Sequence, residues 1–380
     1  MRQKKCNFLW GLMLACILTV CMGVQDVQAA KLPGAAEVLE EIGTGWNLGN
    51  TLDANGSWIA QSKGDEPEAY ETAWQGDVTT ETFIRELKGL GFNAIRIPVT
   101  WAEHMDSDGR IDKAWMSRVK EVVDYAYKND MYVILNVHHD TGAGDNSWIK
   151  ASTSNFKENK KRVKKLWKQI AKRFRSYDEK LMFEGFNEML DENNNWGGPS
   201  ADANKAVNKY NQLFVNAVRS TGGNNAERNL IVNTYAAQYS GAAVTGFKMP
   251  KDSTAGHLIA EVHSYTPAGF VNKNVTWVRT TDVFDEAGKK EIDAAMENLD
   301  TFFLDKGIPV IIGEWGAQWK DNAADQAAFA EYTVSAAEKY GVKCFYWDNN
   351  SADDFKLVDR TNGKAYRRDT VDSIMKALKG

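Results

Sequence analysis

The sequence contains few cysteines. Four occur among its 380 residues, and Cys6, Cys16 and Cys21 all lie within the first 29 positions. If that segment is removed on export, Cys344 is the only thiol left, so no disulfide can form within the mature chain. A chain of about 350 residues buries enough apolar surface to fold without one.

Long apolar runs are absent after the first 20 residues, which excludes a membrane span from the rest of the chain. The N-terminus has a basic head, an apolar stretch over 8–20 and small residues ending at Ala29, the features of a signal peptide. A membrane anchor is disfavoured because the apolar stretch is too short. Lipid attachment through Cys21 stays open. We expect a signal peptide over 1–29, one folded domain over 30–380, and a secreted (extracellular or periplasmic) protein.

An excess of positive charge is also absent. The formal net charge of −5 becomes −7 without residues 1–29, which carry three positive charges and one negative charge. This balance argues against nucleic acid as a partner and suits an uncharged substrate. The sequence shows no linker, low-complexity tract or repeat of 20–50 residues, so we expect a single domain and a monomer.

Eight short apolar runs alternate with segments of helical spacing. One such segment has the apolar face Phe83, Ile84 and Leu87, with Thr80 as its N-cap and Gly91 after its end. Continuous apolar strands that alternate with helices predict parallel strands covered on the outside, here a (β/α)₈ TIM barrel. A doubly wound sheet is the alternative, but its Gly-rich phosphate turn is missing. The predicted strands are Gly45–Asn50, Ala94–Trp101, Tyr132–His139, Leu181–Glu188, Asn229–Tyr235, Leu258–Tyr265, Pro309–Trp315 and Cys344–Asn349.

Polar residues stand at the C-terminal ends of these runs, where loops build the active site of such a barrel. Asn187-Glu188 ends the fourth run and Glu314-Trp315 the seventh. Two glutamates behind apolar runs are costly to bury without partners, so we predict that Glu188 and Glu314 are a catalytic pair. Glu184 shares the strand face of Glu188 and is expected to pair deeper in the barrel.

Arg96 is flanked by apolar residues and needs an anionic partner. It either forms a structural ion pair or keeps Glu314 ionised, and one contact can serve both purposes. His138 and His139 are adjacent, so on a strand they would point to opposite sides and could not share a metal ion. We therefore expect no metal and no cofactor.

Tryptophans are frequent at the predicted strand ends and in the loops that follow. A single tryptophan is more often part of the core than a binding platform. A cluster of them around two carboxylates nevertheless favours a carbohydrate cleft. The tryptophans at these places are Trp46, Trp74, Trp101, Trp148, Trp196, Trp315, Trp319 and Trp347.

Seven stretches together resemble glycoside hydrolase family five, in particular its bacterial endoglucanases. They are GWNLGNTLD, AIRIPVTW, YVILNVHHD, FEGFNE, EVHSYTP, PVIIGEWG and FYWDN, which occur in family order from Gly45 to Asn349. One departure is Met189, which stands where many members have proline after the acid/base glutamate. It leaves the catalytic glutamate in place but puts the path of the next loop in doubt.

The resemblance implies a role for each matched residue. Glu188 falls on the acid/base of the family and Glu314 on its nucleophile. Asn187 is expected to hydrogen-bond the 2-hydroxyl of the sugar, and Trp347 to stack beside the scissile bond. The other matched positions are active-site support at Arg96, His138, His263 and Tyr265, and sugar contacts at Asn50 and His139.

The predicted function is that of a secreted endo-β-1,4-glucanase that hydrolyses internal bonds of cellulose and related β-glucans by retaining double displacement. A mannanase, xyloglucanase or mixed-linkage glucanase on the same scaffold is the main alternative. Two alternatives from other classes are a metal-dependent hydrolase on the same barrel and a carbohydrate-binding protein without catalysis. The second would normally lack one of the glutamates, and both are present.

Overall fold

The computed structural model describes residues 31–379, which form a closed barrel of eight parallel strands in chain order. The predicted (β/α)₈ barrel is confirmed, and the doubly wound sheet is excluded because the first strand pairs with the last. The predicted signal peptide, 1–29, lies outside the described residues. The strands β1 to β8 are Gly45–Leu48, Ala94–Ile97, Tyr132–Asn136, Leu181–Glu184, Leu230–Asn233, Leu258–His263, Val310–Trp315 and Lys343–Asp348.

Helices cover the outside of the barrel. The longer ones follow the predicted apolar spacing, and the Thr80 hydroxyl caps its helix by accepting from the Phe83 amide. Helices of four to seven residues show little periodicity, and four of them were not predicted: Ala35–Glu41, Ser57–Lys63, Pro67–Glu71 and Ala268–Val271. The helices α1 to α12 are Ala35–Glu41, Ser57–Lys63, Pro67–Glu71, Glu81–Gly89, Lys113–Lys128, Thr153–Arg173, Ala201–Arg219, Gly241–Gly246, Ala268–Val271, Glu286–Phe302, Ala323–Lys339 and Arg368–Ala377.

None of the helices within residues 31–379 combines the length and the hydropathy needed to cross a bilayer.

The barrel interior is built in layers. Near the N-terminal ends of the strands, apolar side chains that include Ile134, Met182 and Ile259 pack against one another and against α1. Two residues further along each strand, the inward position is polar in most strands. This second layer comprises Asn47, Arg96, Asn136, Glu184, Asn233 and Glu261, all buried. The fold therefore places a charged layer directly beneath the mouth of the barrel.

Most strands end earlier than predicted. β4 ends at Glu184 and β3 at Asn136, so Asn187-Glu188 and His138-His139 lie in the loops that follow. These loop residues are still held at the strand ends, since the Asn187 amide donates to the Val137 carbonyl. The alternation of a strand does not apply to them, which matters for the two histidines below.

Candidate active site

The mouth of the barrel collects the predicted site residues from seven strands. Asn50 follows β1, Arg96 lies in β2, and the other residues stand at or just after the C-terminal ends of β3, β4, β6, β7 and β8. Hydrogen bonds and ring contacts bring together Arg96, His138, His139, Asn187, Glu188, His263, Tyr265, Glu314 and Trp347.

Arg96 is fully buried, and each of its five N–H groups has an acceptor. Nε and Nη2 donate to the two oxygens of Glu184 at 2.6 and 2.8 Å. Nη1 donates to Glu314 Oε1 at 2.7 Å and to Asn47 Oδ1 at 2.9 Å, and Nη2 donates to Asn187 Oδ1 at 2.9 Å. The predicted deeper pairing of Glu184 is therefore confirmed, and one guanidinium fixes the orientation of four side chains.

The two oxygens of Glu314 are held by different donors. Arg96 donates to Oε1, and the Tyr265 hydroxyl donates to Oε2 at 2.9 Å. Burial opposes ionisation of Arg96, but Glu184, Glu261 and Glu314 outweigh it and raise the pKa of Arg96 well above its usual value. A negative charge on Glu314 is thus compensated by a permanent cation.

Glu188 has a different environment. Its Oε1 lies 2.8 Å from His263 Nδ1, and its side chain is 22% exposed, compared with 7% for Glu314. One carboxylate oxygen of Glu188 lies within 4.8 Å of one of Glu314. The two acids therefore face each other at the barrel mouth with unequal support: Glu314 is fixed by Arg96, and Glu188 faces His263 and solvent.

Irregularities in β6 and β7 set this geometry. The register shifts between Val262 and His263 and again between Ile312 and Trp315, so that His263 and Glu314 become direct neighbours. Bulges of this kind are frequent next to active sites because they re-aim side chains.

His263 lies among carboxylates. Burial lowers its pKa, but the charge of Glu314, the hydrogen bond with Glu188 and the nearby carboxylate of Glu261 outweigh burial and raise the pKa of His263 to about 10. Burial also raises the pKa of Glu184 to about 7, with Glu261 acting in the same direction against Arg96. The charged layer and the barrel mouth above it therefore contain two cations, Arg96 and His263, among several acids.

The predicted geometry of His138 and His139 was wrong. Because both lie beyond the end of β3, their rings meet edge to face at 4.5 Å instead of pointing apart. With Asp53 they offer donor atoms within 4.8 Å of one another, a set that suits a divalent metal in composition. Both oxygens of Asp53, however, already accept the backbone amides of Asn50 and Thr51.

Six of the eight tryptophans predicted at strand ends and in loops fall into two groups. Trp46, Trp101 and Trp315 are fully buried and belong to the core, so their predicted place in a binding cleft was wrong. Trp347 lies at the mouth, parallel to the His138 ring at 5.8 Å. Trp74 and Trp196 are exposed on the loops and remain available to a ligand. Strand-end position alone could not separate the groups, because side chains there point inward or outward according to local register.

Met189 is buried, and its carbonyl accepts the amide of Ala236 from the loop after β5. The chain then turns through Asp191, which accepts the amides of Asn193 and Asn195. This loop is therefore joined to the loop after β5 by a backbone hydrogen bond to the Met189 carbonyl, an acceptor that proline would also supply.

The sequence interpretation missed several residues of the charged layer. Glu261 lies in β6 two residues before His263, and its Oε2 accepts the amide of Asn233. Asn136 donates to Glu184, and Asn47 accepts from Arg96. The sequence did carry a signal for these residues, because each is a polar residue inside an apolar run, either at an even spacing from a site residue or on the inward face of its strand.

The barrel fold and the two acids that face one cleft at its mouth define a class of protein. They are typical of a glycoside hydrolase built on a (β/α)₈ barrel.

Comparison with known proteins leads from the class to the family. Residues 52–353 match the family model for cellulase (glycosyl hydrolase family 5). The chain is 37% identical over 389 residues to endoglucanase A of Clostridium longisporum, a match that covers 99% of this chain and 72% of the relative.

Two solved structures are similar throughout. A family 5 enzyme of Prevotella bryantii B14 has a TM-score of 0.83 and 40% identity, with 91% of this chain and 99% of that chain covered. A family 5 lichenase of Caldicellulosiruptor sp. F32 has a TM-score of 0.85 and 38% identity, with 92% and 96% covered. The chain therefore belongs to glycoside hydrolase family 5, and it is an endoglucanase of the retaining type.

Proposed function

We propose that Glu314 is the nucleophile and Glu188 the acid/base of a retaining endo-β-1,4-glucanase. The observation that carries this assignment is the unequal support of the two acids. Arg96 and Tyr265 each donate to one oxygen of Glu314, which suits a carboxylate that must be charged and oriented before it attacks. Glu188 is the more exposed acid and faces His263, which suits a group that exchanges a proton with the leaving group and with water.

The separation of the two acids supports retention. Their nearest carboxylate oxygens lie within 4.8 Å, whereas an inverting enzyme keeps its carboxyl groups about 6.5–9.5 Å apart to hold a water molecule between the general base and the sugar. At this short distance Glu314 can reach the anomeric carbon directly.

The reaction then follows in two steps. Glu314 bonds to the anomeric carbon as the glycosidic bond breaks, and the leaving oxygen takes the proton of Glu188. In the second step Glu188 takes a proton from water, whose oxygen replaces Glu314 at the same carbon. Two inversions restore the β configuration. The steps draw only on side chains of this chain, so we expect turnover to be unchanged in the presence of a chelator.

Neighbouring side chains suit contacts with the sugar. Because Asn187 Oδ1 accepts from Arg96, its Nδ2 is turned away from Arg96 and can donate to the 2-hydroxyl. Trp347 presents a ring beside His138 for stacking on a sugar face. Asn50 and His139 are half-buried at the same mouth and are proposed to bind sugar hydroxyls.

The substrate proposed is β-1,4-glucan, with mixed-linkage glucan and xyloglucan as further substrates. The similar Caldicellulosiruptor enzyme is called a lichenase, and the Prevotella bryantii enzyme has been solved with a xyloglucan tetradecasaccharide. Hydrolysis of carboxymethylcellulose, lichenan, xyloglucan and glucomannan by the same preparation tests this range. Preference for a mannan backbone would replace the glucanase assignment by a mannanase.

A mutant series tests the division of roles. Glu314→Ala should lose nearly all turnover on every substrate, because no covalent step remains. Glu188→Ala should retain the first step on activated aryl glycosides, whose leaving group needs no proton, and azide should rescue the second step with a β-configured product. The control is Glu338→Ala, which removes a partly exposed acid paired with Lys343 at the opposite end of the barrel and should retain activity. An inverted wild-type product would overturn the assignment.

Export and assembly are proposed as well. We infer that residues 1–29 are removed as a signal peptide, and sequencing the N-terminus of the secreted protein tests this inference. We further propose that the mature domain is a monomer, for which light scattering after size-exclusion chromatography gives the mass. A lipid-modified N-terminus at Cys21 would contradict cleavage after Ala29.

A further inference from the structure

Glu261 is a fully buried acid whose hydrogen bonding is incomplete. Its Oε2 accepts the Asn233 amide at 2.7 Å. Its Oε1 has no hydrogen-bond partner within residues 31–379, and the nearest cationic atoms are Arg96 Nε at 3.5 Å and His263 Nε2 at 3.6 Å. His263 Nε2 is likewise buried without a partner in that part of the chain. The two incomplete groups face each other.

The chain reserves space for this acid. A Cβ at Gly313 would lie 1.6 Å from Glu261 Oε1, so any other residue at 313 would displace the carboxylate. Gly313 lies within the irregular part of β7, next to Glu314. The same local geometry therefore admits Glu261 and positions Glu314.

His263 lies between three acids from three strands. Its Nδ1 is 2.8 Å from Glu188 and 3.5 Å from Glu314, and its Nε2 faces Glu261. The basic side chains near it are Arg96, which is itself paired with acids, and His138. Burial lowers the pKa of His138 well below its usual value, so that ring is neutral.

The charges around His263 change during the reaction proposed above. Glu314 loses its charge when it becomes an ester with the sugar, and Glu188 alternates between acid and carboxylate. Glu261 does not take part in either bond change. In the glycosyl-enzyme, Glu314 is an ester and Glu188 is the carboxylate that needs the His263 donor, and Glu261 faces the other nitrogen of the same ring in every state.

We propose that Glu261 is a positioning residue that acts as the constant counter-ion of His263. It keeps the imidazolium in place so that Nδ1–H donates to Glu188 throughout both steps. This inference rests on the proposed roles of Glu188 and Glu314. The donor matters most in the second step, where Glu188 must be a carboxylate while Glu314 carries no charge to hold His263 protonated.

The first test observes His263 directly. The sequence has five histidines, so a protein labelled with ¹⁵N-histidine gives few imidazole signals, and His263→Asn identifies the signal of interest. In the wild type this ring should remain doubly protonated at pH 8. In Glu261→Gln it should release its proton at a pH lower by about one unit or more. A neutral His263 at pH 8 in the wild type overturns the proposal, even if the variant does not fold.

The second test separates the two reaction steps. On an activated aryl β-cellobioside, for which the second step limits kcat, Glu261→Gln should lower kcat about tenfold or more and lower KM with it, leaving kcat/KM within about threefold. A structural defect alone would lower kcat and kcat/KM together, which would refute the proposal. Glu261→Asp keeps the charge and should restore most of kcat.

The matched control is Glu184→Gln. Glu184 is also buried and also faces Arg96, but within residues 31–379 no hydrogen bond or ion pair joins it to His263. Glu184→Gln should leave the pH at which His263 releases its proton unchanged. If that pH fell equally in Glu184→Gln and Glu261→Gln, the effect would be attributed to Arg96, which both acids face. The NMR result does not depend on substrate, so its failure is distinguishable from a failure of Glu188 or Glu314 in the azide experiment.

Discussion

Arg96→Met removes the charge that joins the acids of the barrel mouth and keeps a long side chain in its place. Arg96 has hydrogen bonds to Glu184, Glu314, Asn47 and Asn187, and all of these are buried. Removal of one partner from a buried ion pair costs about 3–5 kcal/mol, because the remaining charge has no compensation. The variant can fold only if acids near position 96 take up protons.

The cost of those protons depends on pH. For a carboxyl group with an ordinary pKa of 4.5, protonation on folding costs about 1.4 kcal/mol for each pH unit above that value. This gives about 3 kcal/mol per carboxyl at pH 7 and about 1 kcal/mol or less at pH 5. The pKa of Glu184 is already about 7 in the parent, so its protonation adds little, and Glu261 and Glu314 are the other two acids that lose the neighbouring charge of Arg96. We expect a loss of about 3–6 kcal/mol at pH 7 and about 1–2 kcal/mol at pH 5.

Thermal unfolding at the two pH values measures this difference. For about 350 residues, the loss at pH 7 corresponds to a fall in Tm of about 4–8 °C. Arg118→Met is the control, because Arg118 of α5 pairs with the buried Glu71 of α3, and both residues lie on helices outside the barrel. It should also lower Tm but retain turnover, whereas Arg96→Met should lose it. A loss of stability for Arg96→Met that is equal at pH 5 and pH 7 would refute this reasoning.

Three further predictions concern single residues. Trp347→Ala should lower kcat/KM on cello-oligosaccharides by a factor of about 5–30, the equivalent of 1–2 kcal/mol of stacking, and an unchanged value would remove it from the binding site. Burial raises the pKa of the Cys344 thiol to about 12, so a thiol reagent should label it only after unfolding, and rapid labelling of the native protein would contradict its burial. Because the pKa of His263 is raised to about 10, its stabilisation should be complete below about pH 6.5 and decline towards pH 10. A Tm profile as steep in His263→Gln as in the wild type would argue against this.

The sequence predicted the barrel because eight apolar runs alternate with helical segments, and each run became a strand. It also located Glu188 and Glu314, since buried strands that end in acids are rare without a reason. The strand ends were the weak point. The apolar run continues beyond the last residue that is hydrogen-bonded in the sheet. The rule that neighbouring side chains of a strand point to opposite sides was therefore applied to His138 and His139, although β3 has already ended at Asn136.

Other features depend on contacts between strands that a single sequence does not show. The register shifts that make His263 and Glu314 neighbours have no local signature beyond Gly313. Whether a tryptophan at a strand end is buried or exposed depends on the direction in which its ring points. Trp315 follows Glu314 directly and yet lies wholly in the core, because neighbouring side chains at this point face opposite ways.

The buried acids of β4 and β6 take part in two similar arrangements of charged residues. Glu184 stands below the mouth and holds Arg96, and Arg96 in turn holds Glu314. Glu261 stands at the same depth and faces His263, and His263 in turn contacts Glu188. In each case an inner acid that does no bond chemistry faces a cation, and the cation supports an outer acid. An inner acid in an apolar strand is costly to bury, and the cation it faces is what makes its burial tolerable. Glu184, four residues before Glu188, and Glu261, two residues before His263, are therefore better explained as partners of these cations than as additional catalysts.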